Sequence, residues 1–401
     1  METEKNPEEP IMVYTQLDRS LLEMIEVLPV DNTRIFTEEP EQELWRSLLQ
    51  FSYKANILRY FDENHITKSE KDDILANSIA GALLQADEYY KASKTVSLQV
   101  EPLLLYYGTT NLLFALNVLL TGSVPTISNH GMHIAVDPNK TFIAETGISF
   151  DHYSDGGVHI FSKNLGFATN LCDYHPWDLG EFLDSIAEIR DDFELCYRSR
   201  KSHIIPLDVI KTPDGIVEKI FLDEGEAAAT LDMVDGFASA YLTPQRASSR
   251  NESSYLILHH KMTGKPIHQI AYSGQPYLQV GHEKSGKRLT VPKELNMYVS
   301  LFALGSLCRY HPEKWNPFVT QDSTGEKLLV EKLLYYSRRM LPNIVLNRIL
   351  KKQISFVSDK YVPEDRIHLV GQHEVQEIVT KEIRSQMKRE IAKTIMQSNR
   401  S

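Results

Sequence analysis

The sequence predicts an α+β protein that is predominantly α-helical. Three observations lead to this class. Residues 102–136 carry no charged side chain, which is typical of a helix buried on all sides. Apolar residues recur at helical spacing before this stretch and again after Pro292. Between these two helical parts, short β-prone runs alternate with turn residues, which indicates small sheets.

These patterns divide the chain into an N-terminal helical segment (1–122), a mixed α/β middle lobe (123–292) and a C-terminal helical segment (293–401). We expect the first and last segments to pack together as a helical bundle, with the middle lobe as an insertion. An insertion costs little because the entropy of loop closure grows only slowly with loop length. Three lobes in series are the alternative.

The N-terminal segment contains four predicted helices. A short helix covers residues 18–28, and residues 41–63 form an amphipathic helix. Ser69 and Asp72 resemble a capping box that begins the next helix, whose apolar face covers residues 74–90. The central helix then covers residues 101–122, with Pro102 in its first turn and a terminating glycine at position 122.

The middle lobe is predicted from shorter signals. Residues 204–210 and 216–222 form the clearest hairpin, because Pro213 and Gly215 between them favour a turn. Residues 177–197 have helical spacing. Further strands are predicted at residues 132–136, 141–144, 157–161, 254–259, 267–272 and 277–280.

The C-terminal segment is again helical. Helices are predicted at residues 295–309, where Pro312 ends the pattern, and at residues 327–339 and 343–352. Residues 373–397 form an amphipathic helix with Lys and Arg opposite its apolar side. This last helix either packs within the chain or mediates a homo-oligomer or protein partner.

Composition excludes several classes of protein. The net charge of −11 argues against duplex DNA as a partner, because the phosphate backbone rewards clustered basic residues. Three cysteines are too few for a disulfide framework and suit a reducing cytoplasm. The acidic start lacks the features of a secretory signal. The polar run YYGTTN in the central helix argues against a membrane span.

Three patterns resemble known sites but are interpreted otherwise. Gly281–Lys287 matches the start of a phosphate-binding loop, yet Arg288 replaces the required Ser or Thr, so we predict a hairpin. Arg59 and His65 have the spacing of metal-independent HEPN ribonucleases and are the only weak catalytic candidates. His130 and His133 define no known ligand geometry, and we expect neither a metal nor a cofactor.

Polar side chains within the apolar helices are the best candidates for a binding site. Buried amide and hydroxyl groups need hydrogen-bonding partners, which other side chains or a ligand can supply. If the central helix adjoins the end of the helix at 295–309, a polar pocket forms in an apolar wall. Its predicted ligand-binding residues are Tyr107, Asn111, His130, Arg309, Tyr310, His311 and Trp315.

Three ordered motifs resemble a known family. They are Glu101-Pro-Leu-Leu-Leu-Tyr-Tyr-Gly-x-x-Asn-Leu-x-x-Ala115, His130-Gly131, and Arg309-Tyr-His-Pro-x-x-Trp315. Together they resemble the YaaC-like proteins of Bacillus and related bacteria, over residues 83–315 approximately. The resemblance implies a soluble bacterial protein with a distant likeness to HEPN-type helical domains, and it implies no established activity.

We therefore expect a cytoplasmic regulatory protein that binds a nucleotide or a nucleic acid such as RNA through the predicted pocket. It has no recognisable catalytic constellation. One alternative is a HEPN-like, metal-independent ribonuclease that acts in defence or growth arrest through Arg59 and His65. A second alternative is an interaction scaffold that uses residues 373–397.

Overall fold

A computed structural model describes residues 32–152, 155–167, 169–212, 215–222, 224–247, 255–261, 267–284 and 286–358. It is 54% helical with 17% strand in several small sheets, which confirms the predicted α+β class with helix predominant. The predicted helices at residues 18–28 and 373–397 lie outside the described residues.

The described helices and strands follow one another as predicted in broad outline. The helices are α1 (Pro40–Leu49), α2 (Lys54–Glu63), α3 (Asp72–Ser93), α4 (Glu101–Thr121), α5 (Gly157–Asn164), α6 (Leu179–Leu183), α7 (Arg190–Cys196), α8 (Glu224–Asp232), α9 (Phe237–Ala240), α10 (Lys293–Tyr310), α11 (Pro312–Gln321) and α12 (Glu326–Leu350). The strands are β1 (Asn32–Phe36), β2 (Met132–Ala135), β3 (Gly147–Phe150), β4 (Trp177–Asp178), β5 (Ile204–Pro206), β6 (Asp208–Thr212), β7 (Gly215–Ile220), β8 (Gln245–Ala247), β9 (Tyr255–Leu258), β10 (Gln269–Ile270), β11 (Pro276–Gln279), β12 (His282–Lys284), β13 (Lys287–Leu289) and β14 (Gln353–Val357).

The chain divides into two units. The first comprises Met1–Arg34 and Glu41–Ser355, and the second comprises Ile35–Pro40 and Phe356–Ser401. The first unit therefore contains helices from both ends of the chain together with the middle strands, and every interaction described below lies within it. The predicted segment boundaries near residues 122 and 292 stay predictions.

Helix α4 is the central helix of the first unit, as predicted. It packs against α3, α5, α10 and α12, and buried residues occur on all of its faces. Pro102 lies in its first turn, where the missing N–H costs no helical hydrogen bond. Gly122 ends it in the left-handed region with φ of 63°, which favours glycine.

The predicted amphipathic helix at residues 41–63 is wrong, because two helices form there. Helix α1 ends at Leu49, a 3₁₀ turn follows, and Tyr53 is extended before α2 begins. Local side-chain bonds satisfy the backbone at this break. The Ser52 hydroxyl donates to the Leu49 carbonyl at 2.8 Å, and the Asn56 amide donates to the Gln50 carbonyl at 2.9 Å.

The predicted cap of α3 is also wrong. The residue before the helix is Lys71, which makes no side-chain capping bond. Ser69 instead donates its backbone N–H to the carbonyl of Gly122 at 2.8 Å. This bond ties the segment before α3 to the end of α4, so tertiary contact replaces the local cap.

Prolines have different effects in the C-terminal helices. Pro312 ends α10 as predicted, and it also begins α11, which the sequence pattern did not predict. The two helices predicted at residues 327–339 and 343–352 are one helix, α12, with Pro342 buried inside it. Packing of α12 against α4 and α10 outweighs the hydrogen bond that the proline removes.

The middle strands form small antiparallel sheets. Their orders are β2-β3-β4, β10-β11-β5 and β6-β7-β9-β8, with β12-β13 as a separate hairpin. The predicted hairpin of β6 and β7 is confirmed, since Thr212 pairs with Gly215. The sequence that resembles a phosphate-binding loop does form a hairpin, since His282 pairs with Leu289 and Lys284 with Lys287. Its strands are β12 and β13, however, whereas the strand predicted at residues 277–280, β11, pairs with β5 and β10.

Two predicted strands are wrong. Residues 141–144 lead into a 3₁₀ turn at Ile143–Glu145, and residues 157–161 lie in helix α5. In α5, Val158 and Phe161 are both buried, at the three-residue spacing of a helix face. Helical packing against α4 therefore outweighs the β propensity of this run.

Candidate functional site

A cleft lies where helix α4, helix α10 and strand β2 meet, and we call it the α4–α10 cleft. Its volume is about 350 Å³, which is within the range of small-molecule sites. Gly305 on α10 faces the start of α4, and a Cβ built on it would be in ordinary van der Waals contact with the Cα of Leu103, at 3.4 Å. The lining residues are Leu103, Tyr106, Tyr107, Asn129, His130, Gly131, Met132, His133, Ile134, Phe302, Gly305, Ser306, Arg309, Tyr310 and His311.

Tyr106 forms the buried floor of the cleft. Its ring stacks on Tyr298 with a centroid distance of 5.6 Å and meets Phe302 edge-on at 5.5 Å. Its hydroxyl lies 2.7 Å from Nδ1 of His130. Burial raises the pKa of Tyr106 well above its usual value, so the hydroxyl stays protonated and holds the imidazole in place.

His130 is presented by the short loop before β2. The Asn129 side chain accepts a hydrogen bond from the Gly131 backbone N–H at 2.7 Å, and Gly131 has φ of 73°. Partial burial lowers the pKa of His130, and the neighbouring Arg309 and His133 lower it further. The imidazole is therefore neutral at pH 7, with one ring nitrogen occupied by the Tyr106 hydroxyl.

Arg309 supplies the fixed positive charge of the cleft. It lies in the last turn of α10 and is exposed. Its guanidinium donates to the hydroxyl of Tyr107 at 2.5 Å and lies 4.9 Å from the ring centroid of Tyr310. Within the described part of the chain, Arg309 forms no ion pair with a carboxylate. Most of its five N–H donors thus remain available for a ligand.

The cleft has the chemistry of an anion site with aromatic walls. No Asp or Glu belongs to its lining, although the whole chain has a net charge of −11. Two lining histidines pair with carboxylates outside it: His133 with Asp151 at 2.9 Å, and His311 with Glu313 at 3.1 Å. The cleft can therefore attract a negative group at Arg309 while planar rings contact the rest of a ligand.

Five of the seven predicted ligand-binding residues line the cleft: Tyr107, His130, Arg309, Tyr310 and His311. Asn111 does not line it. Asn111 lies one turn further along α4, and its amide donates to the backbone carbonyl of Tyr107 at 3.0 Å. Its hydrogen bond is thus satisfied within the helix.

Trp315 is the second correction to the predicted pocket. Its side chain is 1% exposed, and its Nε1 donates to the backbone carbonyl of Gln99 at 3.3 Å. Its ring contacts Phe318 with a centroid distance of 4.9 Å. Trp315 therefore anchors α11 in the core. Its N–H has an acceptor, as is usual for a buried indole.

Arg59 and His65, the weak catalytic candidates, lie elsewhere. Arg59 is on α2, and His65 follows that helix with a left-handed backbone, φ of 53°. Both residues are exposed, and neither lines the α4–α10 cleft. A non-glycine residue with positive φ is uncommon and is often found where a helix ends.

The sequence pattern missed several lining residues. Tyr106 belongs to the polar run YYGTTN but is not among the predicted ligand-binding residues, and Phe302 carries no polar signal. Asn129 and Ser306 reach the cleft because their segments fold against α4. The Gly305–Ser306 pair within an otherwise apolar helix was a usable signal, since small residues mark close helix contacts.

Three clusters outside the cleft, among the described residues, each contain three side chains that could bind a metal ion. They are His152, Cys172 and Asp173; Asp184, His203 and His282; and Glu218, His260 and His268. Although burial opposes it, hydrogen bonds from His260, His268 and Tyr241 lower the pKa of Glu218 to about 2. This carboxylate is therefore ionised and satisfied by its donors.

One described helix, α4, is long enough to cross a membrane and contains an 18-residue window that is apolar enough to do so. Of that window, 61% is buried against other parts of the protein. Burial of this extent is typical of the core helix of a soluble protein.

Comparison with known proteins identifies the family of this chain. No curated protein and no solved structure matches the chain. The model of the family described as "YaaC-like Protein" matches residues 45–349, which include α4, β2, α10 and the entire cleft. The match covers well over half of the 401 residues, and the chain therefore belongs to the YaaC-like protein family.

Proposed function

We propose that this protein is a cytoplasmic regulator that binds a nucleotide, or the end of an RNA, in the α4–α10 cleft. The observation that carries the proposal is the exposed guanidinium of Arg309, set among tyrosine rings in a lining without Asp or Glu. Free thiols at Cys172, Cys196 and Cys308 support a reducing compartment.

Phosphate recognition is assigned to Arg309. The guanidinium presents a planar set of donors that matches phosphate oxygens, and its contact with the Tyr107 hydroxyl limits its rotation. His130 is neutral and acts as a hydrogen-bonding group, so its contribution is directional. The ligand therefore pairs its negative charge chiefly with Arg309.

Base recognition is assigned to Tyr310 and Tyr107. Tyr310 is 62% exposed, which leaves ring surface available for stacking. The ring of Tyr107 already stacks on Tyr89 with a centroid distance of 6.0 Å, which restricts its motion. Stacking of a base on an aromatic side chain contributes about 1–3 kcal/mol and tolerates any base.

Calorimetric titration of the full chain tests the proposal. The probes are AMP, ATP, GTP and a short single-stranded RNA, with inorganic phosphate as reference. We expect Arg309→Ala to weaken binding by about 10- to 100-fold, because a hydrogen bond to a charged group contributes about 1.5–3 kcal/mol.

Arg46→Ala is the matched control, since Arg46 is an exposed arginine that pairs with Glu43 on α1 and does not line the cleft. We expect its affinity to equal that of the wild type. Equal affinities in both arginine variants, or no binding of any probe by folded wild-type protein, contradict the proposal. A steep salt dependence seen only with RNA identifies RNA as the ligand.

The alternative function is a HEPN-like ribonuclease that uses Arg59 and His65, which are both exposed. It predicts RNA cleavage without added metal that Arg59→Ala or His65→Ala abolishes. Intact RNA after prolonged incubation with wild-type protein excludes it. The scaffold alternative predicts that deletion of residues 373–397 changes the mass of the assembly, measured by sedimentation, by more than the deleted residues account for.

A further inference from the structure

Three side chains outside the α4–α10 cleft direct ligand atoms at one point. Asp184 follows α6, His203 precedes β5, and His282 is the first residue of β12. The Nδ1 of His203 and the Nε2 of His282 are 3.2 Å apart. Oδ1 of Asp184 lies 3.6 Å from the former atom and 3.5 Å from the latter.

Hydrogen bonding does not account for this convergence. One N–H···N bond explains the imidazole pair, but distances of 3.5 and 3.6 Å to the carboxylate are too long for hydrogen bonds. The carboxylate of Asp184 is 8% exposed, and the Ser185 hydroxyl donates to it at 2.8 Å. The same hydroxyl lies 3.1 Å from Nε2 of His282. Two imidazoles thus face a buried carboxylate without bonding to it.

The three distances match those between ligands of one metal ion. For separations of 3.2, 3.5 and 3.6 Å, an ion about 0.7 Å out of the plane of the three atoms lies about 2.1 Å from each, close to the usual zinc–nitrogen and zinc–oxygen bond lengths. Ligands about 2.1 Å from a tetrahedral ion lie about 3.4 Å apart, whereas adjacent octahedral ligands lie about 3.0 Å apart. The observed spacing favours a tetrahedral ion.

The surroundings hold the three ligands in position. The Asp184 backbone carbonyl accepts from the His203 backbone N–H at 2.9 Å and from the Ser202 hydroxyl at 2.7 Å. The His282 ring bonds to the backbone of Glu181, as metal-binding imidazoles usually do with their second nitrogen. His203 is 29% exposed, which provides a route for an ion from solvent.

The other two groups do not have this geometry. Cys172 Sγ lies 3.0 Å from Nδ1 of His152, whereas a thiolate and an imidazole on one zinc ion lie about 3.6 Å apart. Glu218 accepts from His260 at 3.1 Å and lies 2.8 Å from His268. In each of these groups the shortest separation, 3.0 or 2.8 Å, is below the value of about 3.4 Å or more that is expected between two ligands of one tetrahedral ion.

We infer that Asp184, His203 and His282 bind a divalent ion of the zinc type, with the fourth coordination position open to water or a small ligand. Three protein ligands with one open position are the arrangement of exchangeable or catalytic zinc sites. The ligands come from three segments separated in sequence, so the ion also links α6 to strands β5 and β12.

Metal titration of the full chain after dialysis against a chelator tests this inference. Zn²⁺ is followed by calorimetry, and Co²⁺ by the visible absorption that reports four-coordinate geometry. We expect one equivalent to bind the wild type and to raise its melting temperature. His203→Gln and His282→Gln should each weaken binding by at least about 100-fold, and Ser185→Ala by about 10-fold, because Ser185 only orients a ligand.

Control variants separate this site from the other groups and from misfolding. Cys172→Ala and His260→Gln should retain full Zn²⁺ affinity, and circular dichroism verifies the fold of every variant. His203→Gln is the decisive variant, because its partly exposed position tolerates replacement. Unchanged affinity in folded His203→Gln, or no bound Zn²⁺ in the wild type, overturns the inference.

Discussion

Glu218 and Asp184 are both buried carboxylates, but their surroundings differ. Glu218 accepts hydrogen bonds from Tyr241 and His260, Nδ1 of His268 lies 2.8 Å from it, and its pKa falls to about 2. Burial raises the pKa of Asp184, which has a single hydroxyl donor, well above its usual value. At the residue scale, hydrogen-bond donors to Glu218 thus outweigh the burial that raises the pKa of a carboxyl group.

This difference makes stability depend on pH through Glu218. Its folded-state pKa of about 2 lies below the ordinary value of 4.5, so its stabilising contribution is present above pH 4.5 and is lost as the pH falls through 2. We expect Glu218→Gln to lower the free energy of unfolding at pH 7 by about 3 kcal/mol.

Urea unfolding at a series of pH values measures this contribution. The wild type should lose more stability than Glu218→Gln between pH 4.5 and 2. Glu43→Gln, an exposed carboxylate paired with Arg46, is the control and should parallel the wild type. Parallel curves for Glu218→Gln and the wild type contradict the assignment.

At the element scale, two glycines in neighbouring helices play opposite roles. Gly122 ends α4 with φ of 63°, and a Cβ there would lie 2.3 Å from the carbonyl oxygen of Thr67. Gly81 lies inside α3, and no heavy atom lies within 4 Å of a Cβ built on it. One glycine is required by backbone geometry and contact, whereas the other only weakens a helix.

Alanine substitutions at these positions should therefore shift stability in opposite directions. Gly122→Ala should destabilise by at least about 1–2 kcal/mol, from the left-handed backbone alone. Gly81→Ala should stabilise by about 0.5–1 kcal/mol, through higher helix propensity. Thermal and urea unfolding measure both. A Gly122→Ala variant that is not destabilised contradicts the left-handed helix end, and a destabilised Gly81→Ala variant contradicts the open position inside α3.

At the scale of the whole molecule, Glu326 joins segments that are distant in sequence. It begins α12 and is 2% exposed. Its carboxylate accepts from the backbone N–H groups of Ile143 and Ala144 at 3.0 and 2.8 Å, and from the hydroxyl of Tyr197 at 2.5 Å. One carboxylate in the first turn of α12 thus accepts the N–H groups of a 3₁₀ turn and the hydroxyl of the residue that ends α7.

Removal of this carboxylate should be costly. We expect Glu326→Ala to destabilise by about 3 kcal/mol or more, because it leaves two buried backbone N–H groups without an acceptor. Tyr197→Phe should cost only about 1 kcal/mol, since the carboxylate keeps its backbone donors. The exposed Glu331→Ala on the same helix should change stability by less than about 0.5 kcal/mol. Equal losses in all three variants contradict this role.

Long periodic segments were predictable from the sequence. The uncharged α4, the apolar α10 and the β6–β7 hairpin lie where pattern and turn residues indicate. One error, the break at residues 50–53, has a local cause, whereas other errors concern segments whose structure depends on distant contacts. Residues 157–161 form a helix against α4, and α12 continues through Pro342 because neighbouring helices pack on it.

Some residues of the candidate site were predictable from the sequence, and others were not. Tyr107, His130 and Arg309 were predictable as polar residues in or beside apolar segments, and the cleft contains all three. Trp315 and Asn111 carry the same polar signal, yet neither lines the cleft, and each donates to a backbone carbonyl. Sequence alone does not show which acceptor a buried donor reaches.

By itself the sequence determined the class of fold, the central helix and most of the polar residues that line the cleft, because periodicity and charge are local properties. Only the tertiary structure brought Asp184, His203 and His282 together and separated Trp315 from Arg309. These three ligands are 19 and 79 residues apart along the chain, so no linear motif records them. Their convergence depends on how a helix end and two strands pack, which is a property of the folded molecule.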